Sequence, residues 1–244
     1  MFDFELMGGT GSGDVNQREV VSIYDGLKNA GIRIANEKWL EDYEKEYREC
    51  RLRWRDEILS QSKTESHEDL FEIYAGNPMP CPIGPDPEHE DARVALYVIS
   101  RTSGESADRK DAEGDGRLTA EEYGFINKLC GIYDSLILIL NIGGLIELKF
   151  LDDFSNIEGI VYMSQPGMEA GNALADVLTG KVNPSGKLPV TFYHKIEDLP
   201  PFTDYAMKGR TYRYFEGEAL YPFGYGLSYT SFSYDDLHIT VGDS

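Results

Sequence analysis

Three short runs of apolar residues, at 94–99, 136–140 and 157–163, constrain the fold of this chain more than any other feature. The first two runs are continuous rather than alternating, which is typical of a strand buried on both faces of a sheet, and the third predicts a further strand. Each run is followed by a glycine-containing loop and then by a helical pattern, and residues 188–193 are a candidate last strand. This order predicts an α/β sandwich, with a mostly parallel sheet of about six strands and helices on both faces.

Two segments depart from this repeating pattern. Residues 37–60 predict a charged helix whose apolar and aromatic side chains form one stripe, and with the proline-rich residues 77–87 it belongs to a predicted helical excursion over residues 37–91. The stripe consists of Trp39, Tyr43, Tyr47, Cys50, Trp54 and Ile58. We expect this stripe to pack the helix onto the body of the protein. The alternative is that its aromatic rings form a sugar-stacking surface. Residues 195–244, rich in Tyr, Gly and Pro, predict a tail lying over a single domain of residues 1–244.

The charge balance excludes several classes of partner. The 43 acidic residues outnumber the 23 basic ones, giving a net charge of −20. Such an excess repels phosphate and argues against nucleic acid and against an anionic membrane surface. The longest apolar run, residues 136–140, is too short to span a bilayer. Three widely separated cysteines (Cys50, Cys81 and Cys130) and a first segment without basic residues lead us to expect a cytoplasmic protein.

Glycine-rich loops mark the predicted ligand-binding edge of the sheet. Four loops, at residues 8–14, 102–109, 141–144 and 165–167, each follow a predicted strand and precede a helix. They should therefore meet at the carboxyl edge of the sheet, where open α/β domains bind ligands. The alternative is that they are only tight turns. The first loop does not fit the dinucleotide pattern, because Asp14 takes the place of a required glycine and would repel a pyrophosphate.

An acidic stretch at residues 111–122 has nearly the spacing of a calcium-binding loop. Its carboxylates fall at the ligand positions, with glycine between them: Asp111, Glu113, Asp115, Gly116 and Glu122. The preceding segment is not the amphipathic helix that such a loop needs. The alternative is a solvated acidic loop in which Thr119 and Glu122 form a capping box that opens a helix to about residue 132.

A second acidic pattern contains a candidate general acid. Glu105 lies in a glycine-flanked loop, with Asp108 and Arg109 three and four residues later. A carboxyl group that works as an acid near neutral pH needs a pKa raised by burial or by a neighbouring carboxylate. The alternative is a loop salt bridge between Arg109 and one of the two carboxylates.

Six motifs occur along the chain in a fixed order, and together they resemble a known family. They are residues 8–16, 103–109, 141–144, 165–171, 180–189 and 221–229. In this combination the chain is similar to glycoside hydrolase family 3, the β-glucosidases. The part that is matched is the family's second domain, an α/β sandwich of about six strands.

The resemblance implies a retaining mechanism, in which one carboxylate is the nucleophile and a second is first an acid and then a base. The acid/base would be Glu105. Asp108 and Arg109 would hold its loop within the substrate-binding site, and Thr10 and Ser12 lie on the loop that would line the aglycone side. The resemblance implies no metal and no cofactor.

The resemblance also implies a missing partner. The family's nucleophile is an Asp in a separate (β/α)8 barrel, usually just before a Trp. The 244 residues cannot hold both domains, and neither Trp39 nor Trp54 follows an Asp. We therefore expect a fragment that needs the barrel to hydrolyse terminal β-linked sugars and is inactive alone. The alternative functions are a stand-alone carbohydrate-binding or structural module with this fold and a calcium-dependent protein.

Overall fold

A parallel sheet forms the centre of the molecule. The computed structural model describes residues 18–64, 73, 77, 82–101, 109–240 and 242. The apolar runs form strands β1 (Val94–Arg101), β2 (Ser135–Ile142) and β3 (Ile157–Tyr162), all parallel in the order β1-β2-β3. Among the described residues this sheet has three strands, so the predicted size of about six strands is not confirmed.

The helices alternate with the strands as predicted. In the described ranges they are α1 (Ile23–Asn29), α2 (Glu37–Thr64), α3 (Ala120–Ile132), α4 (Ala170–Leu178) and the single turn α5 (Thr211–Tyr214). Short 3-10 turns occupy Lys149–Asp153 and Ile196–Asp198. Gly31 and Gly180 follow α1 and α4 with φ of 80° and 73°, a conformation that glycine adopts without strain.

Helices cover both faces of the sheet, as the sequence predicts. Leu136, Leu138 and Leu140 of β2 belong to one apolar core with Phe125 and Ile126 of α3. On the other face Ile139 packs in a second core with residues of α1 and α4, because successive side chains of a strand point to opposite faces. The central strand is thus buried on both sides, which explains its continuous apolar sequence.

The helices α1 and α4 touch through their backbones. A Cβ atom added to Gly171 in α4 would lie 1.8 Å from the carbonyl oxygen of Ser22, and one added to Gly26 in α1 would lie 2.0 Å from the carbonyl carbon of Gly171. The backbone N–H of Gly171 also donates to the carbonyl oxygen of Val21 over 3.0 Å. Only residues without a side chain allow the two helices to approach so closely.

Helix α3 begins with the predicted capping box. The hydroxyl of Thr119 accepts a hydrogen bond from the backbone N–H of Glu122 over 3.1 Å, and the Glu122 carboxylate accepts one from the backbone N–H of Thr119 over 2.8 Å. Both bonds satisfy amide groups that a helix start would otherwise leave unpaired. The box therefore fixes the first turn of the helix.

The helical excursion packs onto the body through Trp39, and Trp54 bonds within the excursion itself. The Trp39 indole donates to the carbonyl oxygen of Pro85 over 2.9 Å, stacks on Tyr43 at 5.2 Å between ring centroids and lies 5.9 Å from Phe125 of α3. The Trp54 indole donates to the carbonyl oxygen of Asn77 over 2.7 Å. These contacts support the packing interpretation of the stripe rather than a sugar-stacking surface.

The predicted strand at residues 188–193 is confirmed only at its last two residues. Only β4 (Phe192–Tyr193) is a strand, and it pairs antiparallel with β5 (Ala219–Tyr221) in a separate two-stranded sheet. Pro189 has no backbone N–H for a ladder, which shortens the strand. Phe192 is nevertheless buried, with its ring edge-on to Tyr162 of β3 at 5.7 Å, so this part of the tail packs against the body.

The rest of the tail exposes many apolar side chains. At least three-quarters of the surface of Tyr205, Leu227, Tyr234, Leu237 and Ile239 is accessible.

In the part of the chain that the structure describes, no helix is both long enough and apolar enough to span a bilayer.

Candidate functional site

One of the five predicted site residues lies within the described part of the chain, and it is Arg109. Glu105 and Asp108, together with Thr10 and Ser12, lie outside the described residues. The site is therefore built from the elements that flank these positions at the carboxyl ends of the strands.

The guanidinium of Arg109 lies over the end of β2. A Cβ atom added to Gly144, two residues after that strand, would be 3.2 Å from both Nε and Nη2 of Arg109. The Arg109 guanidinium also donates to the Asp115 carboxylate, and both side chains are about three-quarters buried. The loop after β1 and the loop after β2 thus meet at one edge of the sheet, and the glycine gives the arginine its space.

Hydrogen bonds join the loops that follow the three strands. The backbone N–H of Gly143, after β2, donates to the carbonyl oxygen of Arg101 at the end of β1 over 3.2 Å. The side-chain amide of Asn141, which is fully buried, donates to the carbonyl oxygen of Ser164 after β3 over 2.6 Å. Ser164 itself has a φ of 55°, a conformation that costs energy for a residue other than glycine. The three loop bases therefore form one connected edge.

The segment that follows the first glycine-rich loop reaches the same region. The backbone N–H of Val21 donates to the carbonyl oxygen of Met168 over 2.8 Å, and Val21 accepts from Gly171 in return. The loop itself, residues 8–14, lies outside the described residues. The predicted meeting of loops at the carboxyl edge is thus confirmed for the bases of the three loops after β1, β2 and β3.

A buried ion pair that sequence reasoning missed lies beside this edge. Arg101, the last residue of β1, is 6% exposed and donates two hydrogen bonds to the Glu122 carboxylate, of 2.8 and 2.6 Å. Its guanidinium also donates to the carbonyl oxygens of Ser100 over 2.8 Å and Asp115 over 3.1 Å. No local pattern in the sequence indicates this pair, because its two members are 21 residues apart.

The acidic stretch at residues 111–122 does not form a calcium site in this arrangement. Asp111 pairs with Arg117 at 2.6 Å, Asp115 with Arg109, and Glu122 with Arg101. These carboxylates hold separate guanidinium groups instead of converging on one point. Across the described ranges, no three His, Cys, Asp or Glu side chains are grouped so that they could hold a metal ion.

Further charges lie to one side of the edge. Arg117 also donates to Glu197 over 2.7 Å, and this bond adds to a backbone hydrogen bond that holds the pKa of the Glu197 carboxyl below its ordinary value. Burial, with a hydrogen bond to Asp153, raises the pKa of the nearby Tyr123 phenol. A shallow hollow lined by Arg117, Tyr123 and neighbouring side chains lies here, and Arg109 is not part of it.

Comparison with known proteins decides the family. The family model of the glycosyl hydrolase family 3 C-terminal domain matches residues 3–229. The chain belongs to this family. The family 3 domain thus accounts for nearly the whole sequence, and the resemblance to this family is confirmed.

Relatives of the family 3 domain are glycosidases by name. The chain is 32% identical to a beta-glucosidase of Ruminococcus albus over 92% of its own length, and 31% identical to beta-glucosidase A of Butyrivibrio fibrisolvens over 97%. It covers 24% and 31% of those two proteins, respectively. The family 3 domain therefore spans about a quarter to a third of the length of these relatives.

A solved structure supports the fold. The family 3 domain matches beta-glucosidase 3B from Thermotoga neapolitana, solved in complex with glucose, with a TM-score of 0.76 and 34% sequence identity. The match covers 98% of this chain and 35% of that chain. The fold of this chain is therefore similar to that of about a third of this β-glucosidase.

Proposed function

We propose that this chain is the acid/base-bearing domain of a retaining glycoside hydrolase that cleaves terminal β-linked glucosides, with Glu105 as the acid/base. The observation that carries the proposal is the position of Arg109. Four residues after Glu105, it lies against Gly144 at the carboxyl edge where three loop bases are joined. The β-glucosidases among the relatives give the substrate class.

The proposed reaction uses two carboxyl groups in two steps. In the first step Glu105 gives its proton to the oxygen of the leaving group while a nucleophilic carboxylate bonds to the sugar carbon. In the second step Glu105 takes a proton from water, whose oxygen replaces the enzyme carboxylate on the sugar. Asp108 and Arg109 hold the loop of Glu105, and Thr10 and Ser12 line the aglycone side.

We assign the nucleophile to a separate barrel domain, which makes that domain the partner of this chain. Retention needs the two carboxyl groups about 5 to 5.5 Å apart. Without a nucleophile at that distance the sugar carbon has no covalent partner, so the chain alone has no turnover. The complete reading frame around this chain is therefore the right material for an activity assay.

Replacing Glu105 with alanine tests the acid/base role. In the complete reading frame, we expect Glu105→Ala to lower kcat/KM by about 10²–10⁴ for phenyl β-glucoside, whose leaving group needs a proton. For 2,4-dinitrophenyl β-glucoside, which needs none, the first step should change far less. Added azide should then restore turnover by attacking the glycosyl-enzyme without base assistance, giving a glycosyl azide of retained configuration.

The matched control is Glu113→Gln, an exposed carboxylate of the same region, which should leave both substrates unchanged. Equal losses on both substrates without azide rescue would remove Glu105 from the role. Calorimetric binding of cello-oligosaccharides by this chain, with no turnover from the complete reading frame, would instead favour a carbohydrate-binding module.

A further inference from the structure

Both ends of the segment that carries Glu105 are attached to one residue. Arg101 and Arg109 flank the seven residues 102–108, and both hydrogen-bond to Asp115. Arg101 Nε donates to the Asp115 carbonyl oxygen over 3.1 Å, and Arg109 donates to carboxylate oxygen Oδ1. The second oxygen, Oδ2, accepts from the backbone N–H of Lys110 over 2.9 Å. Asp115 thus uses both carboxylate oxygens and its carbonyl.

The attachment on the β1 side is rigid. The Arg101 side chain is held between the Glu122 carboxylate and three backbone carbonyls, those of Ser100, Asp115 and Arg117. Glu122 is in turn fixed by the capping box of α3 through the backbone N–H of Thr119. A buried, charge-assisted network of this kind keeps a single geometry because every alternative leaves a charge unpaired.

The turn that carries Asp115 is equally constrained. The carbonyl oxygen of Lys110 accepts from the backbone N–H groups of Ala112 and Gly116, over 2.9 and 3.0 Å. A Cβ atom added to Gly116 would lie 2.6 Å from that same carbonyl oxygen, so the turn closes only with glycine at this position. Asp115 is therefore presented by a compact turn rather than by a flexible stretch.

We infer that Asp115 is a positioning residue for the acid/base: its carboxylate fixes where the Glu105 segment returns, while the other end of the segment is already fixed at Arg101. The inference rests on the proposed function of Glu105. A segment of seven residues could span more than about 20 Å if its ends were independent, so fixing both ends removes most of its conformations. Proton transfer needs that restriction, because a displacement of about 1 Å can cost on the order of 100-fold in rate.

Asp115→Asn removes the charge and keeps the shape. Its amide carbonyl still accepts from Lys110, but its NH2 group faces the donors of Arg109, so the attachment on that side is lost. In the complete reading frame we expect kcat for phenyl β-glucoside to fall by about 30- to 100-fold, and kcat for 2,4-dinitrophenyl β-glucoside by less than about threefold. KM should stay within about twofold for both substrates.

Amide hydrogen exchange tests the attachment of the Glu105 segment independently of enzymatic turnover. In Asp115→Asn the peptides covering 102–108 should exchange faster than in the wild type, whereas the backbone N–H of Lys110 keeps its acceptor. Asp111→Asn is the matched control, since Asp111 is an acidic residue of the same turn that pairs with Arg117 instead. It should change neither the exchange of these peptides nor the kinetics.

A second variant guards against misfolding of the first. Arg109→Gln removes the other side of the same ion pair, and the double variant should be no slower than either single one if the two residues act as a unit. Additive losses in the double variant, unchanged exchange in Asp115→Asn, or equal kinetic losses on both substrates would each overturn the inference. If Glu105→Ala itself lacked the leaving-group signature, the proposed function would fail instead, and exchange would still report on Asp115.

Discussion

Two glycines determine how closely α1 and α4 pack against each other. Gly26 and Gly171 face each other so tightly that a methyl group on either would overlap the backbone of the other segment. The hydrogen bonds between Val21 and the chain at Met168 and Gly171 depend on the same separation. The contact lies next to the carboxyl edge, so helix packing and the geometry of the edge are coupled at this point.

Gly171→Ala should therefore destabilise the fold. Its methyl group would force α1 away from α4, and we expect the free energy of unfolding to fall by roughly 2–4 kcal/mol. Gly124→Ala is the matched control in α3, because a Cβ atom there meets nothing within 4 Å. It should raise the free energy of unfolding by about 0.5–1 kcal/mol through helix propensity. Urea unfolding of both variants measures the difference, and two changes of the same sign would contradict the close contact.

The residues at the carboxyl edge of the sheet show which features of the site can be predicted from the sequence and which cannot. Arg109 was predicted as a site residue because it belongs to a short local motif. The burial of Arg101 was not predictable, since arginine is mostly exposed and its counter-charge Glu122 comes 21 residues later. Asp115 has the spacing of a calcium ligand, but a spacing rule does not tell a carboxylate that binds a cation from one that binds a guanidinium.

The start of α3 combines two roles in one side chain. Glu122 closes the capping box and also carries the charge that balances buried Arg101, with 10% of the Glu122 side chain exposed. A glutamine at this position can still accept the capping hydrogen bond, but it cannot neutralise the guanidinium. The two roles can therefore be separated by substitution.

Glu122→Gln should lower the free energy of unfolding more than removal of the Thr119 capping hydroxyl does. An unpaired buried charge typically costs about 3–5 kcal/mol of unfolding free energy. Thr119→Ala, which removes only the hydroxyl bond to the Glu122 amide, should cost about 1 kcal/mol, and Thr119→Ser should be nearly neutral. Thermal and urea unfolding of the three variants rank their losses of unfolding free energy. A smaller loss in Glu122→Gln than in Thr119→Ala would show that the ion pair contributes less stability than its burial implies.

Elements were predictable where the determining contacts are local. The capping box involves residues three positions apart, and each of the strands β1, β2 and β3 is defined by its own largely apolar sequence. The strand at residues 188–193 was predicted only in part because its pairing depends on β5, which lies about 30 residues later in an aromatic segment without a strand pattern. The number of strands in a sheet depends on such distant pairings and not on any one of the strands.

At the scale of the whole molecule, aromatic side chains attach the tail to the body. Phe192 of β4 lies between Tyr162 of β3 and Tyr221 of β5, edge-on to both rings. Burial raises the pKa of the Tyr221 phenol and that of the Tyr193 phenol in β4. The ionised forms of both side chains are therefore disfavoured in the folded protein.

This packing predicts a loss of stability in alkali. A raised phenol pKa contributes stability that is complete below the ordinary tyrosine pKa of about 10 and is lost as pH rises through the higher folded value. The urea midpoint should therefore fall as the pH rises above about 10. Tyr221→Phe cannot ionise at this position and should lose less over the same range, whereas an equal loss in the wild type and the variant would exclude Tyr221 as a cause.

The hydrogen-bonded loop bases have a consequence for how a domain of this kind can diversify. Asn141, Gly143 and Arg101 tie the strand ends together through main-chain groups and one buried amide. Exchanges of side chains further out along the loops leave these ties intact. The outer residues can therefore change while the scaffold that presents them keeps its dimensions.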